Sequence, residues 1–200
     1  MIEVEKKFIL TPEQEKKLIK GAKFLGEKKF TDSYYDDAHY ILTGQDIWLR
    51  RRDGRFELKL PMNVNIKKRV SDRYKELESD AEILKYFNAA PGTPMQEFLT
   101  EKRFVPFCTI TTERKKYKKG GFTIDLDMTD FGYAVAEIEY MTDDQSKLQE
   151  ATDAIIAFAK KHGINTDTLV RGKVVEYLRL NNRAHFDELL VLGVINPQLA

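Results

Sequence analysis

Five short runs of alternating charge hold the residues best suited to chemistry. In EVEKKF, Glu3, Glu5 and Lys7 occupy every second position. Glu137 and Glu139 do the same in AEIEY, as do Asp125 and Asp127 in IDLD. Arg50 and Arg52 in WLRRR, and Arg114 and Lys116 in ERKKY, put positive charge on the same spacing. Clustered carboxylates offer the hard oxygen ligands that select Mg²⁺ or Mn²⁺ over thiolate-loving metals. Arginine forks grip phosphate oxygens bidentately, with lysine as a point charge beside them. If these side chains converge, they suit a polyanion held together with divalent cations.

A spacing of two is the period of a β-strand, whose successive side chains face opposite ways. Asp53-Gly54 is a dipeptide favoured in two-residue type I′ hairpins. That turn pairs Arg52 with Arg55, Arg50 with Glu57 and Trp48 with Lys59. One face then carries Trp48, Arg50, Arg52, Arg55, Glu57 and Lys59, and the other Leu49, Arg51, Phe56, Leu58 and Leu60. Gly120-Gly121 supports a second turn that sets Lys116 opposite Asp125 and Arg114 opposite Asp127, although a longer loop would also fit. YKEL adds Tyr74 and Glu76 on one face.

Two architectures explain charged faces backed by apolar ones. One is an open sheet with its charged face in water. The other is a closed barrel with a charged interior and helices over an apolar exterior. These faces concentrate Arg, Glu and Asp with little Ser or Gln, which favours the barrel. A charged interior is costly unless it is hydrated or filled by something of complementary charge.

The elements around these strands follow from local signals. Thr11-Pro12 caps a helix over 13–20, and Ser79 one over 79–89, with Asp80 and Glu82 in its first turn. Strands are expected at 30–36, 46–52, 55–60, 72–77, 104–117, 122–128, 133–141 and near 173–179. Helical periodicity over 145–161 ends at His162-Gly163, and a terminal helix spans about 183–192.

With 200 residues, the chain fits one domain over 1–200. Its 33 basic and 32 acidic residues nearly cancel, which argues against a nucleic-acid or anionic-membrane surface. No run reaches the ~18 apolar residues of a membrane span, and Met1 leads directly into charge without a signal-peptide pattern. The single cysteine, Cys108, suits a reducing cytoplasm and reads as a small buried hydrophobe. His39, His162 and His185 form no catalytic set, and no P-loop motif is present.

EVEKKF resembles the E-x-E-x-K signature of the CYTH superfamily, the triphosphate tunnel metalloenzymes. Its supporting motifs occur here in order: SYYDD (33–37), WLRRRDGRFELKLP (48–61), YKEL (74–77), ERKKY (113–117), IDLDMTDFGYAVAEIE (124–139) and GKVVEYL (172–178). DFGYAVAEIE, YKEL and WLRRR are similar to the animal thiamine-triphosphatase branch in particular. The resemblance implies an α+β fold, a closed eight-stranded antiparallel tunnel with helices outside, and metal-dependent hydrolysis of a triphosphate within it.

By position, the resemblance assigns Glu3, Glu5, Asp125, Glu137 and Glu139 to metal binding, with Asp127 and Glu76 as further acidic groups close by. It assigns Lys7, Arg50, Arg52, Lys59, Arg114 and Lys173 to the phosphates, and Tyr34 with Lys59 to a base dyad. A cation beside a phenol lowers its pKa, which would make a phenolate accessible. Trp48 would stack on the thiazolium of thiamine triphosphate through a cation–π contact. The loop PMNVNIKKRV (61–70) shows no pattern of that family.

The expected activity is conversion of thiamine triphosphate to thiamine diphosphate and phosphate with Mg²⁺ or Mn²⁺. The expected partner is this small molecule alone, with no nucleic acid and no membrane, and the expected state is a monomer. The rivals are a general inorganic tripolyphosphatase, an adenylyl cyclase, for which no adenine pocket is visible, and a non-catalytic polyphosphate-binding module.

Overall fold

Both glycine turns form as two-residue hairpins, and each sets a register that brings charge onto one face. In this computed structural model, which describes residues 2–62 and 71–200, Asp53 and Gly54 have φ of 47° and 90°. Gly120 and Gly121 have φ of 56° and 89°. Positive φ at both central positions is the signature of the type I′ turn, whose twist matches that of its flanking strands. Strand β3 (Trp48–Arg52) therefore meets β4 (Arg55–Pro61) with Arg50 opposite Glu57 and Trp48 opposite Lys59. Strand β6 (Val105–Lys119) meets β7 (Phe122–Thr129) with Arg114 opposite Asp127 and Lys116 opposite Asp125.

These hairpins are joined by β1 (Ile2–Phe8), β2 (Lys23–Asp36), β5 (Asp72–Leu77) and β8 (Ala134–Thr142). The eight strands close in the order β1-β5-β4-β3-β2-β6-β7-β8, each antiparallel to its neighbours. Closure removes the exposed edges of an open sheet.

The apolar faces point outward and are covered. Helix α4 (Leu148–Lys161) lays Leu148, Ala151, Ile155 and Ala159 on Val4, Ile124 and Ile138. Helices α2 (Asp80–Tyr86) and α3 (Met95–Lys102) bring Ile83, Phe98 and Leu99 onto Leu49, Phe56 and Leu58. Helices α5 (Lys173–Asn181) and α6 (Arg183–Val191) pack Val174, Leu178, Phe186 and Leu189 with Cys108 and Ile110. Helix α1 (Pro12–Ile19) opens with the expected cap, in which the Thr11 hydroxyl accepts from the Gln14 amide while Gln14 reaches back to the Thr11 amide.

Several boundaries differ from expectation. The segment near 173–179 is helix α5, not a strand. Its β-branched pair Val174-Val175 reads as strand locally, but Val174 and Leu178 are four apart and share one helix face. Glu176 bonds Arg179 one turn on, as only a helix allows. Helix α3 has no counterpart in the expectations, because its N-cap position is Pro94 and carries no side-chain cap. Strand β2 begins at Lys23 rather than 30. Its first residues are exposed and are held chiefly by pairing with β6, a long-range partner that leaves little local pattern. Most of the loop 61–70 lies outside the described residues. No helix among the described residues is long and apolar enough to cross a membrane.

Candidate active site

The inward faces of the barrel strands line a cavity of about 340 Å³. Glu3, Glu5 and Lys7 enter it from β1, Trp48, Arg50 and Arg52 from β3, and Glu57 and Lys59 from β4. Tyr74 and Glu76 come from β5, Arg114 and Lys116 from β6, and Glu137 and Glu139 from β8. Tyr34 of β2 and Lys173, the first residue of α5, complete the wall. Gly172 caps α5 where the chain passes close to β1. A Cβ there would sit 3.3 Å from Lys7 Cε.

Carboxylates gather on the side formed by β1, β7 and β8. Oxygens of Glu5, Glu137 and Glu139 all lie within 4.8 Å of one another. Asp125 is fully buried beside them, and its Oδ1 has no hydrogen-bond partner among the described residues. Burial, with the neighbouring Glu3 charge, raises the pKa of Glu5; burial and Asp125 hold Glu139 well above the ordinary carboxylate range. Burial also raises Asp125. Burial pushes Glu137 the same way, but Lys173, Arg114 and Lys7 reverse it and leave that pKa well below normal. Crowded carboxylates with an orphaned buried oxygen fit a hard divalent cation, whose charge would relieve their repulsion. Glu3 sits slightly apart, accepting from Lys59 at 2.8 Å.

The basic side chains are held by the acidic ones. Arg114 donates two bonds to Asp127, both 2.6 Å, and one to Glu137 at 2.7 Å, and also bonds Asp125. Lys116 reaches Asp125 at 2.8 Å. Lys173 pairs with Asp127 and lies 3.7 Å from Glu137. Lys7 donates to Glu5 at 2.5 Å and also to Asp72. Lys59 bridges Glu3 and Glu76 at 2.8 and 2.9 Å. Arg50 is fixed by Glu57 at 2.7 Å, and Arg52 by a two-bond clasp to Asp32 at 2.7 and 2.8 Å. A divalent cation on the carboxylates and a polyanion on the guanidinium and ammonium groups would suit the two halves of this array.

Tyr34 corrects one expectation about charge. Its phenol is buried, and burial together with Asp32 pushes the pKa up to about 12. Arg50 and Arg52 pull in the lowering direction without prevailing. Asp32, which tips this balance, escaped the sequence reading together with Asp72 and Asp46. Asp32 and Asp72 stand two residues before Tyr34 and Tyr74, so continuing the strand period by one step finds both. Asp46 likewise stands two residues before Trp48 inside the expected strand 46–52, but the structure starts that strand at Trp48 and leaves Asp46 at the end of the preceding turn.

Cys108 is buried with its thiol pKa raised, a small core residue as expected. His185 is buried away from the cavity lining.

A barrel of eight antiparallel strands with acidic and basic faces turned inward is matched by sequence. The CYTH domain family matches residues 1–172. The chain belongs to that family. Thiamine-triphosphatase of Macaca fascicularis is 27% identical over 210 residues, covering 95% of this chain and 90% of the relative. Thiamine-triphosphatase of Homo sapiens is 28% identical over 207 residues with the same coverage. Among solved structures, the PH1819 protein of Pyrococcus horikoshii OT3 superposes with a TM-score of 0.63 at 22% identity, covering 90% of this chain and 99% of that one. That likeness bears on the fold alone.

Proposed function

We propose that this CYTH protein hydrolyses thiamine triphosphate to thiamine diphosphate and phosphate. The observation that carries the reading is Trp48, the only tryptophan, lining the same cavity as the basic and acidic arrays. The two thiamine-triphosphatase relatives support it. An indole face beside a phosphate cradle suits a triphosphate attached to a cationic ring, with a cation–π contact of ~1–2 kcal/mol once desolvated.

In this reading Lys7, Arg50, Arg52, Lys59, Arg114 and Lys173 hold the phosphate oxygens and offset the charge that repels water. Glu5, Glu137, Glu139 and Asp125, with Glu3 adjacent, hold Mg²⁺ or Mn²⁺, which when bound withdraws charge from the phosphate oxygens. Water attacks the terminal phosphorus in line. The bond from that phosphorus to the bridging oxygen breaks, and the leaving diphosphate takes the electron pair. Arg114 and Lys173 stabilise the negative charge that develops. Tyr34, set against Arg50, accepts the proton of the attacking water as a phenolate, with Lys59 adding positive charge to the site. The raised pKa of Tyr34 restricts that step to alkaline pH.

Phosphate release from thiamine triphosphate, inorganic tripolyphosphate and ATP, compared between wild type and Trp48→Ala, tests the reading. A preference for thiamine triphosphate that Trp48→Ala abolishes is expected. Equal or faster release from tripolyphosphate, indifferent to Trp48→Ala, would instead assign a general tripolyphosphatase.

A further inference from the structure

Asp46 closes the short turn Thr43–Gln45 in the left-handed conformation, with φ 60° and ψ 24°. Its side chain is buried and lines the cavity. One oxygen, Oδ1, accepts from Trp48 Nε1 at 2.8 Å and from the Tyr74 hydroxyl at 2.8 Å. Trp48 and Tyr74 belong to β3 and β5, which do not pair, since β4 runs between them. A single carboxylate oxygen therefore ties two aromatic rings from separate strands to one turn. Behind those rings the wall is apolar, built by Val174 of α5 and by Val194 and Ile195 after α6. The rings border charge on one side, where the Lys59 ammonium lies 5.6 Å from the Tyr74 ring centroid, and this apolar wall on the other, which suits an organic group joined to a phosphate chain.

We propose that Asp46 is a positioning residue that fixes the ring planes of Trp48 and Tyr74 for the organic group of the substrate. The proposal rests on the reading of a thiamine-type triphosphate given above. A stacked cation gains only when the ring face is presented in one orientation, and an indole held before binding loses less freedom on binding. A carboxylate acceptor makes both holding bonds charge-assisted, and so stronger than neutral ones. The backbone accounts for the residue type as well. A left-handed φ is tolerated by Asp and Asn and is free to Gly, but strains other residues.

That conformation supplies clean variants. Asp46→Gly removes the acceptor without straining the turn, and Asp46→Asn keeps an acceptor oxygen without the charge. The two are compared with wild type in Mg²⁺ for turnover of thiamine triphosphate and tripolyphosphate, and for the emission of Trp48. Asp46→Gly is expected to lower the thiamine-to-tripolyphosphate ratio of kcat/KM about tenfold, mainly through KM for the thiamine substrate, and to shift the emission. Asp46→Asn is expected to restore most of both. An unchanged ratio, an equal loss on both substrates, or Asp46→Asn behaving as Asp46→Gly would overturn the positioning role. If wild type shows no preference for thiamine triphosphate, the substrate reading falls, and emission judges Asp46 alone. A shift reversed by Asp46→Asn then supports the holding role, and an unshifted spectrum overturns it.

Discussion

Arg114 and Asp127 face each other across β6 and β7 and share two hydrogen bonds of 2.6 Å each. Both groups are almost wholly removed from water, and the same guanidinium reaches Glu137 at 2.7 Å. Arg114→Ala would strand Asp125, Asp127 and Glu137 as buried charges with a shared partner gone. Removing one member of such a buried pair costs about 3–5 kcal/mol. Chemical denaturation of Arg114→Ala should show a loss of that size, and triphosphate hydrolysis should fall by roughly a hundredfold or more. Arg114→Lys should recover part of the stability and little of the activity, because an ammonium cannot reproduce the paired geometry.

Glu139 is expected to behave in the opposite sense. Burial and Asp125 raise its folded pKa well above the ordinary value, so its charged form is unfavourable in the fold. The folded state keeps a proton that the unfolded state loses, and stability falls as pH rises above the unfolded pKa. Glu139→Gln should raise the melting temperature without metal at pH 7.5. It should also weaken Mg²⁺ about tenfold, erasing ~1.4 kcal/mol of metal-induced stabilisation at saturating metal. Thermal melts across a Mg²⁺ titration read both effects, and an unchanged Mg²⁺ response would remove Glu139 from the metal site.

Tyr34 sets the expected pH dependence of the reaction. With a pKa pushed up to about 12, its phenolate fraction grows roughly tenfold per pH unit across the mildly alkaline range. If Tyr34 accepts the proton, log kcat should climb with a slope near one from pH 7.5 to 9.5. Tyr34→Phe should be at least tenfold slower and lack that climb. A climb that survives Tyr34→Phe would assign the proton to another acceptor.

His185 provides a test of how the C-terminal helices are secured. It is fully buried on α6, with its ring stacked on Tyr40 at 3.5 Å and its Nε2 2.9 Å from the Thr43 hydroxyl. That hydroxyl donates to Asp36 at 2.7 Å, so it accepts from a neutral His185 carrying its proton on Nε2. Burial lowers the His185 pKa from 6.5 to about 4. Between those values the unfolded chain binds a proton that the folded one excludes. The contribution is therefore full above pH 6.5 and is lost as pH falls toward 4. Wild type should lose more stability than His185→Gln between pH 6.5 and 4.5, as measured by urea midpoints. Equal losses would show that His185 does not titrate in this way.

The barrel was legible because its logic is local and repeated. Two glycine turns dictate the pairing of Arg50 with Glu57 and of Arg114 with Asp127. The period of two then puts Arg50, Arg52, Glu57 and Lys59 on one side of the first hairpin and Arg114, Lys116, Asp125 and Asp127 on one side of the second. Helix α5 was misread for the converse reason, since Val174-Val175 favours a strand locally and only packing against β6 and α6 decides for a helix.

The sequence by itself determined which side chains share a face, because strand alternation and turn geometry act over a few residues. It also determined that the charges nearly cancel, which restricts strong electrostatics to local clusters. Only the tertiary structure decided that the charged face points inward, because inward and outward faces differ in what the distant helices α2 to α6 cover. Only it brought Asp46 under both Trp48 and Tyr74, residues 28 positions apart at the wider of the two spans. And only it raised the pKa of Tyr34 above that of a free phenol. Pairing rules are set by neighbours in sequence, whereas burial and long-range charge are set by the whole chain once folded.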